Sequence, residues 1–284
     1  MYSPAEIANN YIDIGENKSK NPVYRALILA VFAGAFIALA AVGATVIGVT
    51  VESKSIAKLL QGLVFPTGLA MVVIAGSELF TGNNLMIIPV LEKRITLSAM
   101  LKSWVIFYVG NFIGSVLIAL LVVYGNVFGM IGGLAESAVK TAEAKVSMSF
   151  GSAVLKGILC NFLVCIAVWM TLGAKTAGGK IAALYLPIML FILCGYEHSV
   201  ANMYYLTAAI FAQGKYEIAS GTVYWGSIFA KNLLPVTIGN IIGGAGLVGL
   251  GYWAAYLKKS GVKRGAASRK KESNLKKATE IHVR

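Results

Sequence analysis

The sequence predicts an all-α membrane protein: six transmembrane helices arranged as an inverted 3+3 repeat, the second and fifth of them broken. Three observations carry this. The chain has 284 residues, 57% hydrophobic and 13% charged, with a mean hydropathy of +0.74. A soluble domain carries about 25% charged residues, and the apolar runs here reach the roughly 20 residues that cross a bilayer. Second, the apolar run 181–211 is cut by Gly195-Tyr196-Glu197-His198-Ser199-Val200-Ala201-Asn202-Met203. An acid, an imidazole and an amide thus fall at mid-membrane depth, where a charge costs several kcal/mol unless it is paired or faces a wet cavity. Third, that stretch has an echo in Gly76-Ser77-Glu78-Leu79-Phe80-Thr81-Gly82-Asn83-Asn84, and Gly110-Asn111-Phe112-Ile113-Gly114 matches Gly239-Asn240-Ile241-Ile242-Gly243. Glu197 follows Glu78 by 119 residues and Asn240 follows Asn111 by 129. Two matches at similar lag indicate an internal duplication. Three spans per half is an odd number, so the second half inserts upside down.

The elements follow in order. Residues 1–25 are an N-terminal segment on the cytoplasmic side. Within it, 3–15 reads as an amphipathic helix lying in the membrane interface. Ser3 and Glu6 make a capping box around Pro4, and Ile7, Tyr11 and Ile14 share a face. A single transmembrane domain occupies 26–257, with repeats at about 26–124 and 152–257. Its first span, 26–51, is rich in Ala and Gly, a surface for close packing. The second, 59–91, contains Pro66 and the first polar motif, so it forms two half-helices around a loop. The third is 99–124. A longer link, 125–151, leads to the fourth, 152–172. The broken fifth span, 181–211, contains Pro187, and a mixed loop, 212–230, leads to the sixth, 231–257. Residues 258–284 are a basic cytoplasmic tail.

The net charge of +13 could suggest nucleic acid, but ten of the 25 Lys/Arg lie in that tail. A basic block beyond a membrane helix is a topology signal. With the termini inside, the inner segments hold 18 Lys/Arg, Lys18 and Lys180 among them, and the outer segments 7, including Lys58, Lys145 and Lys156. Without the tail the split is 8 against 7, so the tail decides the orientation. The chain is expected in the inner (cell) membrane as a multi-pass protein. Cys160, Cys165 and Cys194 lie in apolar runs without disulfide or metal spacing, and no cofactor is expected. The first 24 residues lack the apolar core of a signal peptide.

Broken helices entering from opposite faces aim half-helix N-termini at the midplane, a setting that favours an anion. Phe65, Leu69, Leu79 and Thr81 surround the first break; Phe191, His198 and Asn202 surround the second. Bulky apolar groups flanking a polar centre make hydrophobic constrictions. A naked anion crosses these only at a large desolvation cost, which a weak acid avoids by crossing as the neutral form. His198 is the one group there able to exchange a proton near neutral pH, with Thr81 as a nearby hydroxyl; the only other histidine is His282 in the tail. Lys145, on the outer link, raises anion concentration at the mouth. Plainer readings stand beside these. Glu197 and Glu78 serve as structural support, by fixing the imidazole tautomer or accepting N–H bonds. Asn111, Asn161 and Asn240 are either interhelical glue or pore lining. Lys156 snorkels to the interface.

At these residues the sequence resembles the formate/nitrite transporter family over about 5–257. The motifs that carry the resemblance are the 195–203 stretch, Leu79-Phe80-Thr81, Asn161-Phe162-Leu163-Val164-Cys165 and Leu234-Pro235-Val236-Thr237-Ile238-Gly239-Asn240-Ile241-Ile242-Gly243-Gly244. The chain is most similar to the hydrosulfide-channel branch. The resemblance implies a homopentamer with one aquaporin-like pore per protomer, passing hydrosulfide, formate or nitrite. It assigns the central histidine to His198 and its partner threonine to Thr81. It places Leu69 and Phe191 at the cytoplasmic constriction, and Phe65 and Leu79 at the outer one. The vestibule lysine becomes Lys145, and the pore asparagines Asn161 and Asn240. One place departs from the pattern: after Thr81 the loop reads Gly82-Asn83-Asn84, where formate channels have Ser-Thr.

Two other classes compete. A neutral-solute pore of the aquaporin kind fits the inverted repeat, with Asn83 and Asn202 as its paired asparagines. It lacks the Asn-Pro-Ala signature and leaves His198 unexplained. A membrane-embedded enzyme has no phosphate loop, metal spacing or nucleophile elbow to support it. The expected partners are therefore the lipid bilayer, a small anion and further copies of the chain, not nucleic acid.

Overall fold

A computed structural model describes residues 1–258. The basic tail, apart from Lys258, and His282 lie outside the described residues. In order, the helices are α1 (Pro4–Ser19), α2 (Val23–Gly48), α3 (Lys54–Ala75), α4 (Gly82–Leu91), α5 (Leu97–Tyr124), α6 (Leu134–Val146), α7 (Phe150–Gly173), α8 (Ala177–Leu193), α9 (Ser199–Lys215) and α10 (Trp225–Tyr256). Among the described residues α2, α3, α5, α7 and α10 are long and apolar enough to cross a membrane, while α4 and α8 are shorter apolar helices.

The two breaks have one cause. Gly76 follows α3 with φ 80°, and Gly195 follows α8 with φ 66°. A side chain in this left-handed region costs about 1–2 kcal/mol, so the glycine of each Gly-x-Glu motif ends its half-helix. The prolines do not make the breaks: Pro66 lies within Lys54–Ala75 and Pro187 within Ala177–Leu193.

Helices α5 and α10 meet their partners at backbone contact. A Cβ added to Gly110 would strike Ala30, and one on Gly114 would strike the Val31 carbonyl of α2. Gly239 and Gly243 face the Val154 and Ile158 carbonyls of α7 in the same way. The repeated Gly-Asn-x-x-Gly is therefore a helix-crossing motif, in which small residues let two backbones touch.

Three boundaries differ from the sequence expectation. Helix α1 continues past residue 15 to Ser19, held by polar partners near its end. Lys18 bonds Glu78, and Glu16 bonds Lys20 and Arg94. The Lys20 hydrogen bond, seconded by Arg94, holds the Glu16 carboxyl below the usual range. The link 125–151 contains α6, which buries Leu134, Ala138, Ala142 and Val146 along one side. Its alternation of alanine with charged residues disguised that face. The loop 212–230 contracts to about 216–224, because α9 and α10 extend into it from both ends.

Helix α1 packs by Ile7, Tyr11 and Ile12 against Trp169 and Val248, with Tyr252 and Trp253 beside them. Trp253 Nε1 donates to Glu92 Oε1 at 2.8 Å. The start of the chain and the end of α10 thus lie on one side of the molecule.

Candidate functional site

Each break exposes backbone groups that must find partners, since lipid supplies none. Two buried asparagines meet this need identically. Asn111 Nδ2 donates to Ala30 O at 2.7 Å and Glu78 O at 3.0 Å, and its Oδ1 accepts from Phe80 N at 2.9 Å. Asn240 Nδ2 donates to Gly157 O at 2.9 Å and Glu197 O at 3.0 Å, and its Oδ1 accepts from Ser199 N at 2.9 Å. Asn161 Nδ2 donates to Asn240 O at 2.7 Å and Asn84 Oδ1 at 2.8 Å, tying the two halves together. All three asparagines are fully buried and brace the loops. Their side-chain bonds run between helices and to the loops at the breaks. Trp104 adds a brace that the sequence did not flag, donating from Nε1 to Asn83 O at 2.9 Å.

The two motif glutamates also have matched surroundings. Glu197 accepts from Lys145 Nζ with both oxygens, each at 3.0 Å, and from Asn202 Nδ2 at 2.6 Å. Glu78 accepts from Asn83 Nδ2 at 2.9 Å and from Lys18 Nζ. Lys145 ends α6 and Lys18 ends α1, so α6 stands to the second break as α1 stands to the first. Lys145 is thus a paired helical residue rather than a free loop cation. Lys18 is the site residue that sequence reasoning missed. Its signal was the duplication itself: each Gly-x-Glu has a lysine in the last turn of an amphipathic helix upstream. Glu197 does not fix the imidazole tautomer, because its carboxylate is engaged elsewhere. Asn232 supports it indirectly, accepting from Asn202 at 2.8 Å and donating to Lys145 O at 3.0 Å.

Where the breaks meet, Thr81 Oγ1 lies 2.9 Å from His198 Nε2, with Thr81 fully buried and His198 nearly so. His198 is also the N-cap of α9, its Nδ1 accepting from Ala201 N at 3.0 Å. A backbone N–H only donates, so Nδ1 carries the lone pair and Nε2 the hydrogen. That hydrogen is donated to Thr81 Oγ1, whose own hydroxyl hydrogen has no acceptor among the described residues.

Two cavities approach this pair from opposite ends. One, about 360 Å³, is lined by Lys145, Glu197, Asn202, Phe191 and His198. The other, about 240 Å³, is lined by Lys18, Glu78, Asn83, Leu69 and Leu79. Phe65 stands edge-to-face on Phe191, ring centroids 5.5 Å apart, and Phe191 stacks over His198 at 5.9 Å. Leu69 of α3 and Leu79 of the loop after it line the smaller cavity, Phe191 of α8 lines the larger, and Phe65 of α3 leans on Phe191.

Removing one partner of the lysine–glutamate pair should destabilise the fold. Lys145 and Glu197 side chains are 15% and 7% exposed and border a cavity, so the loss falls below that of a dry ion pair. Lys145→Met is expected to cost about 1–3 kcal/mol in thermal unfolding, with much of it recovered in the Lys145→Met/Glu197→Gln double variant. Additive losses would mean that the two residues do not act as a pair.

Residues 5–254 match the model of the formate/nitrite transporter family. The transporter YrhG of Bacillus subtilis (strain 168) is 41% identical over 90% of this chain and 94% of its own length. The formate channel BtFdhC of Bacillus thuringiensis is 39% identical over 91% of this chain and 97% of its own. A solved structure described as a pentameric formate channel with formate bound superposes with a TM-score of 0.74 at 33% identity, covering 83% of this chain and 98% of that one. These relatives are channels and transporters rather than enzymes. With duplicated breaks braced the same way in both halves and a family match over nearly its whole length, the chain belongs to the formate/nitrite transporter family.

Proposed function

We propose that the protein is a membrane channel for small monovalent anions of weak acids, formate first among them. The observation that carries this is the buried Thr81–His198 contact, set between two lysine-bearing cavities and screened by Phe65, Phe191, Leu69 and Leu79. An anion enters either lysine-lined cavity, sheds water at the apolar residues and meets one donor, the Thr81 hydroxyl. His198 backs that hydroxyl through Nε2–H, and such chained hydrogen bonds polarise one another. Protonating Nδ1 would set a hydrogen against Ala201 N–H. The ring therefore acts through Thr81 rather than as a free base facing the guest.

Six crossings complete the picture: α2, α3 with α4, α5, α7, α8 with α9, and α10. Lys18 and Lys180 border one cavity, and Lys58, Lys145 and Lys156 the other. This is the same division that the positive-inside rule makes between inner and outer lysines. It supports placing both ends of the described chain in the cytoplasm. The similarity to a pentameric channel supports assembly as a homopentamer with one such path per protomer.

Hydrosulfide is the second reading, from the Gly82-Asn83-Asn84 departure. Both asparagine amides are already committed: Asn83 to Glu78 and the Leu79 carbonyl, and Asn84 to the Phe80 carbonyl and Asn161. The departure thus serves bracing, and formate keeps precedence. The same bonds weaken the neutral-solute alternative, because Asn83 and Asn202 turn to separate glutamates rather than to one shared guest.

The test is flux in proteoliposomes with formate, nitrite, hydrosulfide and glycerol compared in parallel. Formate passage well above glycerol is expected. Rapid glycerol flux with no anion flux would overturn the proposal, and a strong preference for hydrosulfide would replace formate as the substrate.

A further inference from the structure

The two cavities are related by the repeat, yet they differ by one charge. Lys18, Lys180 and Glu78 border the smaller; Lys145, Lys58, Lys156 and Glu197 border the larger. Lys18 corresponds to Lys145, each ending an amphipathic helix on a motif glutamate. Lys180 and Lys58 both sit in the opening turns of equivalent helices, α8 and α3. Lys156 has no lysine counterpart. Its carbonyl accepts from Glu197 N at 3.4 Å just as the Leu29 carbonyl accepts from Glu78 N at 3.2 Å, so Leu29 occupies the equivalent place. Three lysines against one glutamate leave the larger cavity at +2, and two against one leave the smaller at +1.

Lys145 already neutralises Glu197 through both of its oxygens. Among the described residues neither Lys58 nor Lys156 has a carboxylate within ion-pair distance. The excess therefore resides on two ammonium groups facing one cavity of about 360 Å³, which exceeds the size of a small oxyanion. Behind it stand Phe191 and Phe65 in edge-to-face contact. The cost of stripping water from an ion grows as the square of its charge, so a dianion faces about four times a monoanion's penalty at that barrier.

We propose that Lys58 and Lys156 form a binding site for a small dianion, of the sulfate or short dicarboxylate type, which occupies the larger cavity without passing. A bound dianion blocks entry of monoanions from that face alone. The opposite cavity, whose lining has no counterpart of Lys156, does not hold it.

The probe is inorganic sulfate at low millimolar concentration and constant ionic strength. Formate flux into proteoliposomes of one orientation is measured with sulfate on either side. Block from the Lys145 side alone is expected. Lys156→Leu, which installs the repeat's own residue, should raise the half-blocking concentration about tenfold, and Lys156→Arg should largely keep it. Equal block from both sides, no block, or a block unchanged in Lys156→Leu would overturn the site. The flux arm rests on the channel reading, so binding is also read directly as sulfate-dependent thermal stabilisation of the purified protein. Stabilisation lost in Lys156→Leu, with no formate flux in any variant, would keep the site and remove the channel reading. Formate flux without either sulfate effect would do the reverse.

Discussion

Asn240→Leu is expected to cost about 2–6 kcal/mol of stability, because two buried backbone groups at the break lose their partner at once and a helical carbonyl loses its second donor. Gly157 O, Glu197 O and Ser199 N all bond this one amide, and an unsatisfied buried polar group costs about 1–3 kcal/mol. The loss is a large share of an ordinary fold's 5–15 kcal/mol. Leucine keeps the branched outline of asparagine with methyls in place of the amide atoms, so it removes the hydrogen bonds without opening a cavity. Thermal unfolding followed by tryptophan fluorescence in detergent would read it, at roughly 2–4 °C per kcal/mol for a chain of this size. Asn111→Leu should behave alike, since its three bonds are the repeat's copies. A melting temperature within a few degrees of wild type for both would show that water replaces the amides and that the loops are not held by them.

Thr81→Val is expected to lower anion flux by one to two orders of magnitude while leaving the protein folded. Valine keeps the shape of threonine and removes the one hydroxyl between His198 and a guest. His198 Nε2–H then loses its 2.9 Å partner, and the guest loses its donor. At about 1–3 kcal/mol for a lost buried hydrogen bond, the barrier change corresponds to roughly 5- to 150-fold in rate. Thr81→Ser retains the hydroxyl and should conduct near the wild-type level. Unaltered flux in Thr81→Val, at equal amounts of folded protein, would take the Thr81–His198 pair off the conduction path.

Much of this protein was legible in one dimension. Long apolar runs have few folded alternatives in lipid, so composition alone determined the all-helical membrane class. The duplication determined more, because a motif that recurs at similar spacing recurs in similar geometry. Glycine at positions 76 and 195 is required by the left-handed turn, and Gly-Asn-x-x-Gly by backbone contact. The pairing of Thr81 with His198 was anticipated because each sits just past its own break.

What the sequence left undecided concerns partners far apart along the chain. Whether Asn161 and Asn240 face a cavity or a carbonyl depends on how α7 and α10 cross, which no local pattern encodes. Lys18 stayed unnoticed because its glutamate lies 60 residues on and the helix carrying it reads as a detached surface element. The contact of Phe65 with Phe191 needed the relative placement of α3 and α8. Hydropathy and backbone strain are properties of a segment, and the sequence states them directly. Side-chain direction across a helix interface is a property of two segments, and only their packing decides it.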